Sequence, residues 1–302
     1  MGKLKSILVV AGRCEADPVL MVKAARVAHA LGTGIELFVC DAEQAYELKH
    51  AYDSRGFEQK VLQDCITRAR EYHLRHKELI GLGAIPFSVD ASCESPLYES
   101  VLRKVQRSGP ALVIKIAGGG RPNHSAFDAN DWQLMRTCPS TLMLVRARHW
   151  SKKMRIATAI DVSEEEETKG LADTILQVAK DLARATGADL DVAYAERTAP
   201  DEPVSRARAE KLHGLTREAG IEPDHVHILA GHPERELSGF AAARNYDVMV
   251  LGALTHRPSA VSLVGTLTSV LIEGLECDFV LVKPGSYRYG VRPESALAEA
   301  PA

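Results

Sequence analysis

Apolar residues follow a pattern that occurs twice along the chain. An apolar run at residues 6–11 is followed by a polar turn and by a segment with helical spacing, and the run at residues 155–161 begins the same order again. The first helix of each half ends at a glycine, Gly32 or Gly187, and another apolar run follows directly. A repeat of about half the chain is far too long for a solenoid, so the pattern predicts a tandem duplication.

Five strand-like runs alternate with helical segments in each half. They lie at residues 6–11, 35–40, 85–89, 111–114 and 141–145 in the first half, and at 155–161, 190–194, 225–229, 247–251 and 279–282 in the second. The fourth run of each half lacks the alternation of a half-buried strand, which is typical of a central parallel strand covered on both faces. We predict an α/β fold of two tandem doubly wound domains, 1–150 and 151–285, each with a five-stranded parallel sheet, and a flexible tail at 286–302.

Composition and charge exclude several classes of protein. The 37 basic and 40 acidic residues give a formal net charge of −3 without large charged blocks, which disfavours binding to nucleic acid. No apolar run approaches the roughly 20 residues of a membrane span, and no export signal precedes the first strand, so we expect a cytoplasmic protein without membrane attachment. Six scattered cysteines without a Cys-x2-Cys pair indicate reduced thiols rather than disulfides or zinc sites.

A loop rich in glycine and threonine follows the fourth strand of the second half. It reads Gly252-Ala-Leu-Thr255, then nine residues, then Gly265-Thr266-Leu-Thr268 before the next helix. The start of a helix offers backbone N–H groups that favour phosphate. An ordinary strand–loop–helix connection with an N-cap at Thr266 would explain the same residues.

Written as Gly-x2-Thr-x9-Gly-Thr, this loop resembles the Gly-x2-Gly-x9-Gly-(Ser/Thr) nucleotide motif of the universal stress protein family. The segments Asp131-Trp132, Cys277-Asp278 and Val282-Lys283-Pro284 extend the resemblance, which is to tandem members of the universal stress protein E type and covers all but the tail. It implies the strand order 3-2-1-4-5 and association through the fifth strands. The two halves would then form an intramolecular pseudo-dimer.

The resemblance also implies roles for individual residues. Asp161, at the end of a first strand, would contact adenosine, and Gly265, Thr266 and Thr268 would bind phosphates through N–H and hydroxyl groups. We expect glycine at position 252 because a Cβ would prevent close approach of the backbone.

Thr255 and His256 lie in the same loop, before Gly265-Thr266. Thr255 replaces a glycine, and a β-branched residue does not readily adopt a positive φ, so the loop geometry is expected to differ from that of binding members. His256 either supplies charge near the phosphates or is a solvated loop residue.

The first half lacks the equivalent features. Gly12 is found in the place of the aspartate, and Ala126-Phe127 lie near the place of Gly-Thr, so we expect this half not to bind ATP. Lys115, in a strand that appears buried by its pattern, is expected to pair with an acidic residue or to line a cavity. An apolar or lipid-linked ligand near Trp132 and Phe127 is an alternative function.

Other candidate sites are weaker. His225 and His227 alternate on one predicted strand and could share a metal, but without an assured third ligand we favour a solvated edge strand. No Ser/His/Asp or Cys/His set indicates catalytic machinery. The sequence therefore predicts a cytoplasmic stress-response protein that binds ATP with Mg²⁺ in its C-terminal domain. We expect hydrolysis to be weak at most, and expect unidentified protein partners and further homodimers.

Overall fold

A computed structural model describes residues 6–40, 55–120, 127–162, 170–197, 203–253 and 265–284, in which ten strands and eight helices alternate. The strands are β1 Ile7–Ala11, β2 Ile35–Cys40, β3 Phe87–Ser92, β4 Leu112–Ile116, β5 Thr141–Val145, β6 Arg155–Ala159, β7 Asp189–Glu196, β8 Val226–Ala230, β9 Val248–Gly252 and β10 Asp278–Val282. The helices are α1 Pro18–Leu31, α2 Arg55–Arg75, α3 Leu97–Ser108, α4 Ala129–Thr137, α5 Leu171–Thr186, α6 Pro203–Glu218, α7 Pro233–Arg244 and α8 Thr266–Gly274. Short 3₁₀ turns lie at Ala117–Gly120 and Pro223–His225.

All ten strands form one sheet in the order β3-β2-β1-β4-β5-β10-β9-β6-β7-β8. Strands within each half are parallel, and β5 and β10 pair antiparallel, with Leu144 opposite Phe279. Each half therefore has the order 3-2-1-4-5, and the halves meet through their fifth strands. The α/β fold and the strand order expected from the sequence are confirmed. The predicted domain bounds stay a prediction, and the tail at 286–302 lies outside the described residues.

Alternation along the central strands separates two hydrophobic layers. Ile7 and Val9 of β1 belong to one buried cluster, and Leu8 and Val10 belong to the other. All five residues of β1, β4 and β10 are buried, as expected for strands covered by helices on both faces. Both clusters include residues of each half, so the sheet and its covering helices form a continuous core.

Local sequence signals explain where α1 begins and ends. The Asp17 side chain accepts hydrogen bonds from the N–H groups of Val19 and Leu20, at 2.7 and 3.4 Å, and Pro18 occupies the first turn. Gly32 ends the helix with a φ of 60°, and Gly187 ends α5 in the same way with a φ of 66°. The predicted glycine stops are confirmed at both positions.

Most strand boundaries differ from the sequence prediction by one or more residues, and the starts of β3 and β8 are two of them. β3 begins at Phe87 rather than residue 85, because Pro86 has no N–H to donate to a strand ladder. His225 lies in a 3₁₀ turn, and β8 begins at Val226, so the two histidines do not lie on one strand as predicted.

The seam between the halves contains a pair of equivalent cations. Arg146 follows β5, and its Nη2 donates to the carbonyl of Leu275 at the end of α8, at 2.6 Å. Lys283 follows β10, and its Nζ donates to the carbonyl of Cys138 at the end of α4, also at 2.6 Å. Cations are favourable at helix C-termini, so each half stabilises a helix end of the other. Burial lowers the pKa of Lys283 to about 8.

A buried ion pair also crosses the seam. Lys23 of α1 contacts the carboxylate of Asp278 in β10 at 2.6 Å, and both side chains are only 3% exposed. Asp278 also accepts hydrogen bonds from the backbone of Arg146 at 2.8 Å and from Trp150 Nε1 at 2.7 Å. The carboxylate is thus satisfied by three donors, as a buried charge requires.

Candidate functional site

The candidate residues of the second half lie where β6 and β9 end. These two strands are parallel neighbours at the point where the strand order reverses, and ligands of doubly wound sheets bind at the carboxyl ends there. Asp161 is exposed, two residues beyond the end of β6. Gly252 is the last residue of β9, and Gly265 precedes α8. The topology therefore brings Asp161, Gly252 and Gly265 to one edge of the sheet.

Helix α8 begins without a side-chain cap from the described residues. Gly265 is the N-cap, with a φ of −55° and a ψ of 144°, and Thr266 is the first helical residue rather than the N-cap. The carbonyl of Gly265 accepts from the N–H of Ser269 at 2.8 Å, which closes the first turn. The N–H groups of such a turn favour an anion, and the helix dipole adds to this preference.

Thr268 has a role different from the one predicted. Its side chain is buried, and Oγ1 donates to the carbonyl of Gly252 at 2.8 Å. The hydroxyl proton is therefore used inside the protein and not offered to a phosphate. This hydrogen bond fixes the first turn of α8 against the end of β9.

Gly252 lies against α5, a packing constraint that the sequence did not predict. A Cβ at this position would lie 3.2 Å from Leu171 Cδ2 and 3.3 Å from Ile175 Cδ1, both on α5. Helix α5 thus approaches β9 closely at this position, and the predicted close approach to a ligand stays a prediction. Thr255, His256 and the side chain of Thr266 lie outside the described residues, and their predicted roles stay predictions.

Strand register and helix ends align the two halves residue by residue. Ile7 pairs with Leu112 as Ile156 pairs with Val248, which places Gly12 at the position of Asp161. The C-caps of α4 and α8 are Cys138 and Leu275. Counting back from each C-cap, Asp128 corresponds to Gly265, and Asp131 corresponds to Thr268. The counterparts of Gly265-Thr266 are therefore Asp128-Ala129, two residues beyond Ala126-Phe127, which the sequence placed near this position.

The equivalent helix start in the first half is filled by its own carboxylates. Asp131 is fully buried, and its Oδ1 accepts from Lys115 Nζ at 2.6 Å. Its Oδ2 accepts from the backbone N–H of Gly118 at 2.7 Å and of Asp128 at 2.9 Å, while Asp128 accepts from the N–H of Asp131 in a capping box. The predicted acidic partner of Lys115 is confirmed. In the first half, a carboxylate therefore caps the start of α4. The equivalent start of α8 has no side-chain cap among the described residues.

The aromatic residues of the alternative apolar site form part of the seam. The ring of Phe127 lies 6.3 Å from Trp132 and 6.2 Å from Phe279 of β10, measured between centroids. The guanidinium of Arg146 lies 5.2 Å from the centre of the Phe127 ring. These rings pack against one another and against the second half.

The two candidate metal-binding histidines surround one carboxylate. His225 Nδ1 and His227 Nε2 lie 2.8 and 3.3 Å from Asp191 Oδ1, and Tyr246 donates to Oδ2 at 2.7 Å. Burial opposes the charge, but these hydrogen bonds hold the pKa of Asp191 below its ordinary value. Among the residues that the structure describes, no group of three or more His, Cys, Asp or Glu side chains could hold a metal ion. Sequence reasoning missed Asp191, which lies near the start of β7.

Comparisons with known proteins agree with this architecture. Residues 154–283 match the model of the universal stress protein family. Universal stress protein E of Escherichia coli strain K12 is 21% identical over 95% of this chain and 96% of its own length. The chain is similar to universal stress proteins along almost its whole length, and its second half carries the match to the family model. A universal stress protein E homolog of Haemophilus influenzae is 26% identical, over 62% of this chain and 66% of its own length.

Solved structures of universal stress proteins share the fold. The one from Pseudomonas aeruginosa UCBPP-PA14 has a TM-score of 0.71 and 23% identity, and the match covers 93% of this chain and 94% of that one. One from Archaeoglobus fulgidus has a TM-score of 0.62 and 14% identity, covering 94% and 99%. No helix within the described residues is both long enough and apolar enough to span a membrane.

Proposed function

We propose that this chain acts as a universal stress protein, which binds ATP in its C-terminal half and takes part in a cytoplasmic stress response. The observation that carries the proposal is the start of α8 at Gly265, where no side chain of the described residues caps the helix. Phosphate oxygens would accept hydrogen bonds from the N–H groups of Thr266 and Leu267. Mg²⁺ would follow the phosphates, because this ion retains most of its water and binds through phosphate oxygens.

Asp161, just beyond the end of β6, also supports the proposal of nucleotide binding at this edge of the sheet. Its carboxylate is exposed at the carboxyl end of β6, where it would accept hydrogen bonds from ribose hydroxyls. The first half has Gly12 at this position, so it lacks that acceptor as well as an uncapped helix start. ATP binding is accordingly assigned to the second half alone.

The output of binding is regulatory rather than catalytic in this proposal. A nucleotide site without a positioned general base binds without rapid turnover, so hydrolysis would be slow at most. The first half would serve assembly or contact with other proteins. No observation favours the alternative apolar ligand, since Phe127 and Trp132 contribute to packing at the seam.

A proline substitution tests the proposed phosphate contact. Proline is tolerated at the first helical position and removes one N–H, so Thr266→Pro keeps the helix while removing a proposed donor. Losing one charge-assisted hydrogen bond of roughly 1.5–3 kcal/mol weakens affinity by roughly 10- to 150-fold. Calorimetric titration with ATP and Mg²⁺ measures the change.

The first half provides a matched control. Ala129 is the first residue of α4, as Thr266 is of α8, so Ala129→Pro makes the same backbone change where no nucleotide is expected. It should leave ATP affinity at the wild-type value. Wild-type affinity in the Thr266→Pro protein, with its helix content retained by circular dichroism, would refute the proposed site.

A further inference from the structure

Two cysteines of the first half have their sulfur atoms in contact. Cys14 Sγ and Cys65 Sγ lie 2.7 Å apart, although the residues are 51 positions apart in the sequence. Neither residue forms a disulfide in the structure, and their exposed fractions are 9% and 4%. A disulfide requires about 2.05 Å between its sulfurs, so bond formation needs an approach of only about 0.7 Å.

The position of Cys14 permits this approach. It lies in the turn between β1 and α1, three residues beyond Ala11, whereas Cys65 lies on α2. Gly12, Arg13 and Glu15 on either side of Cys14 are exposed. A small oxidant can therefore reach the turn from solvent, and Cys14 belongs to no strand of the sheet.

We propose that Cys14 and Cys65 form a redox-responsive dithiol that hydrogen peroxide converts to an intramolecular disulfide. The Cys14 thiolate attacks one peroxide oxygen and forms a sulfenic acid, and the other oxygen leaves as hydroxide, which is protonated to water. The Cys65 thiolate then attacks the Cys14 sulfur and expels the second hydroxide, which also becomes water. The two thiols lose two electrons in total, and the peroxide gains them. A dithiol reductant restores the two thiols by disulfide exchange and is itself oxidised to a disulfide.

The disulfide would bind α2 to the turn that follows β1. That turn begins at Gly12, the counterpart of Asp161, so the cross-link lies at the carboxyl edge of the sheet. It lies in the first half, where the helix start is capped by side chains. Residues 151–302 contain a single cysteine, Cys277, so no equivalent pair exists within the second half. The inference thus concerns the first half and does not depend on ATP binding.

Peptide mapping of the full-length protein tests the proposal. Purified protein is treated with hydrogen peroxide, its remaining thiols are blocked with N-ethylmaleimide, and it is digested with trypsin without reductant. We expect a cross-linked product of peptides Cys14–Lys23 and Val61–Arg68 that has lost two hydrogens. Thiols titrated in denaturant should fall from six to four per chain and return to six with dithiothreitol.

Serine variants identify the thiols that react. Cys65→Ser should abolish the linked peptide, whereas Cys93→Ser, which changes a partly exposed thiol elsewhere in the same half, should retain it. The proposal is overturned if wild-type thiols are consumed without the linked peptide. It is also overturned if Cys14 is recovered as sulfinic acid or if the link joins two chains on a non-reducing gel.

Discussion

The two halves start the same helix in opposite ways. In the first half, Asp128 and Asp131 fill the start of α4 and bind Lys115 and the N–H of Gly118. In the second half, the corresponding residues are Gly265 and Thr268, and the start of α8 has no side-chain cap among the described residues. The same backbone can therefore have its helix start capped by the protein's own carboxylate or leave it open to an external anion. Two side chains, at positions 128 and 131 or 265 and 268, make this difference.

The difference between the two helix starts also distinguishes a contact that stabilises the fold from a site that we propose to bind nucleotide. A buried carboxylate that accepts three hydrogen bonds holds the first-half loop together without a ligand. In the second half, the Thr268 hydroxyl donates to Gly252, and no side chain of the described residues accepts from the N–H groups of the first turn of α8. Among the described residues, the half that we propose to bind nucleotide is therefore the one whose helix start has no side-chain cap.

The largest expected effect on stability comes from removing the Lys115 cation, which pairs with Asp131 in the first half. Lys115→Met leaves Asp131 buried without its partner, so we expect a loss of about 3–5 kcal/mol in the free energy of unfolding. Urea denaturation measures this loss. The control is Lys153→Met, which breaks an ion pair with Asp189 whose side chains are 79% and 41% exposed, and should change stability by less than about 1 kcal/mol. Equal losses in the two proteins would show that the Asp131 contact does not stabilise the first half.

A second prediction compares the two cations of the seam. Burial lowers the pKa of Lys283 to about 8, so between pH 8 and its ordinary value of 10.5 the unfolded chain binds more protons than the folded one. Stability carried by this group therefore rises with pH across that window. The size is roughly 2–3 kcal/mol, discounted for partial exposure.

The measurement is the pH dependence of urea unfolding in Lys283→Met against wild type. The difference in the free energy of unfolding between the two proteins should change over pH 8–10.5. Arg146→Met is the control, because arginine stays charged throughout this range and its removal leaves the dependence intact. A constant difference between wild type and Lys283→Met would contradict the assigned burial.

The smallest effect concerns the link between α8 and β9. Thr268→Val removes the hydrogen bond to Gly252 while keeping the side-chain shape, and should cost about 1–2 kcal/mol. Thermal melts without nucleotide measure it, and Thr268→Ser, which keeps the hydroxyl, serves as the control. If Thr268→Val melts as wild type does, the hydroxyl is not a structural link.

Sequence patterns were sufficient for the fold because the strand runs and glycine stops are local features. Gly32 and Gly187 adopt the predicted left-handed conformation, and the fourth strands are buried as their unbroken apolar runs indicate. The start of β3 lies after Pro86 rather than before it, since proline has no N–H for the ladder.

The site depended on contacts between distant residues, which sequence patterns do not contain. The capping box of Asp128 and Asp131 was the signal that could have corrected the alignment of the two helix starts. The packing of Gly252 against α5 and the contact between Cys14 and Cys65 require the folded chain, because their partners are 51 or more positions away.

The most direct test transfers the cap of the first half to the second. Gly265→Asp places a carboxylate where the first half has Asp128, and it should occupy the N–H groups proposed for phosphate and repel the nucleotide. In calorimetry with ATP and Mg²⁺, we predict binding by wild type and at least roughly tenfold weaker binding by Gly265→Asp, with folding stability equal or higher. Absence of binding by wild type, or unchanged affinity in Gly265→Asp, would contradict the account.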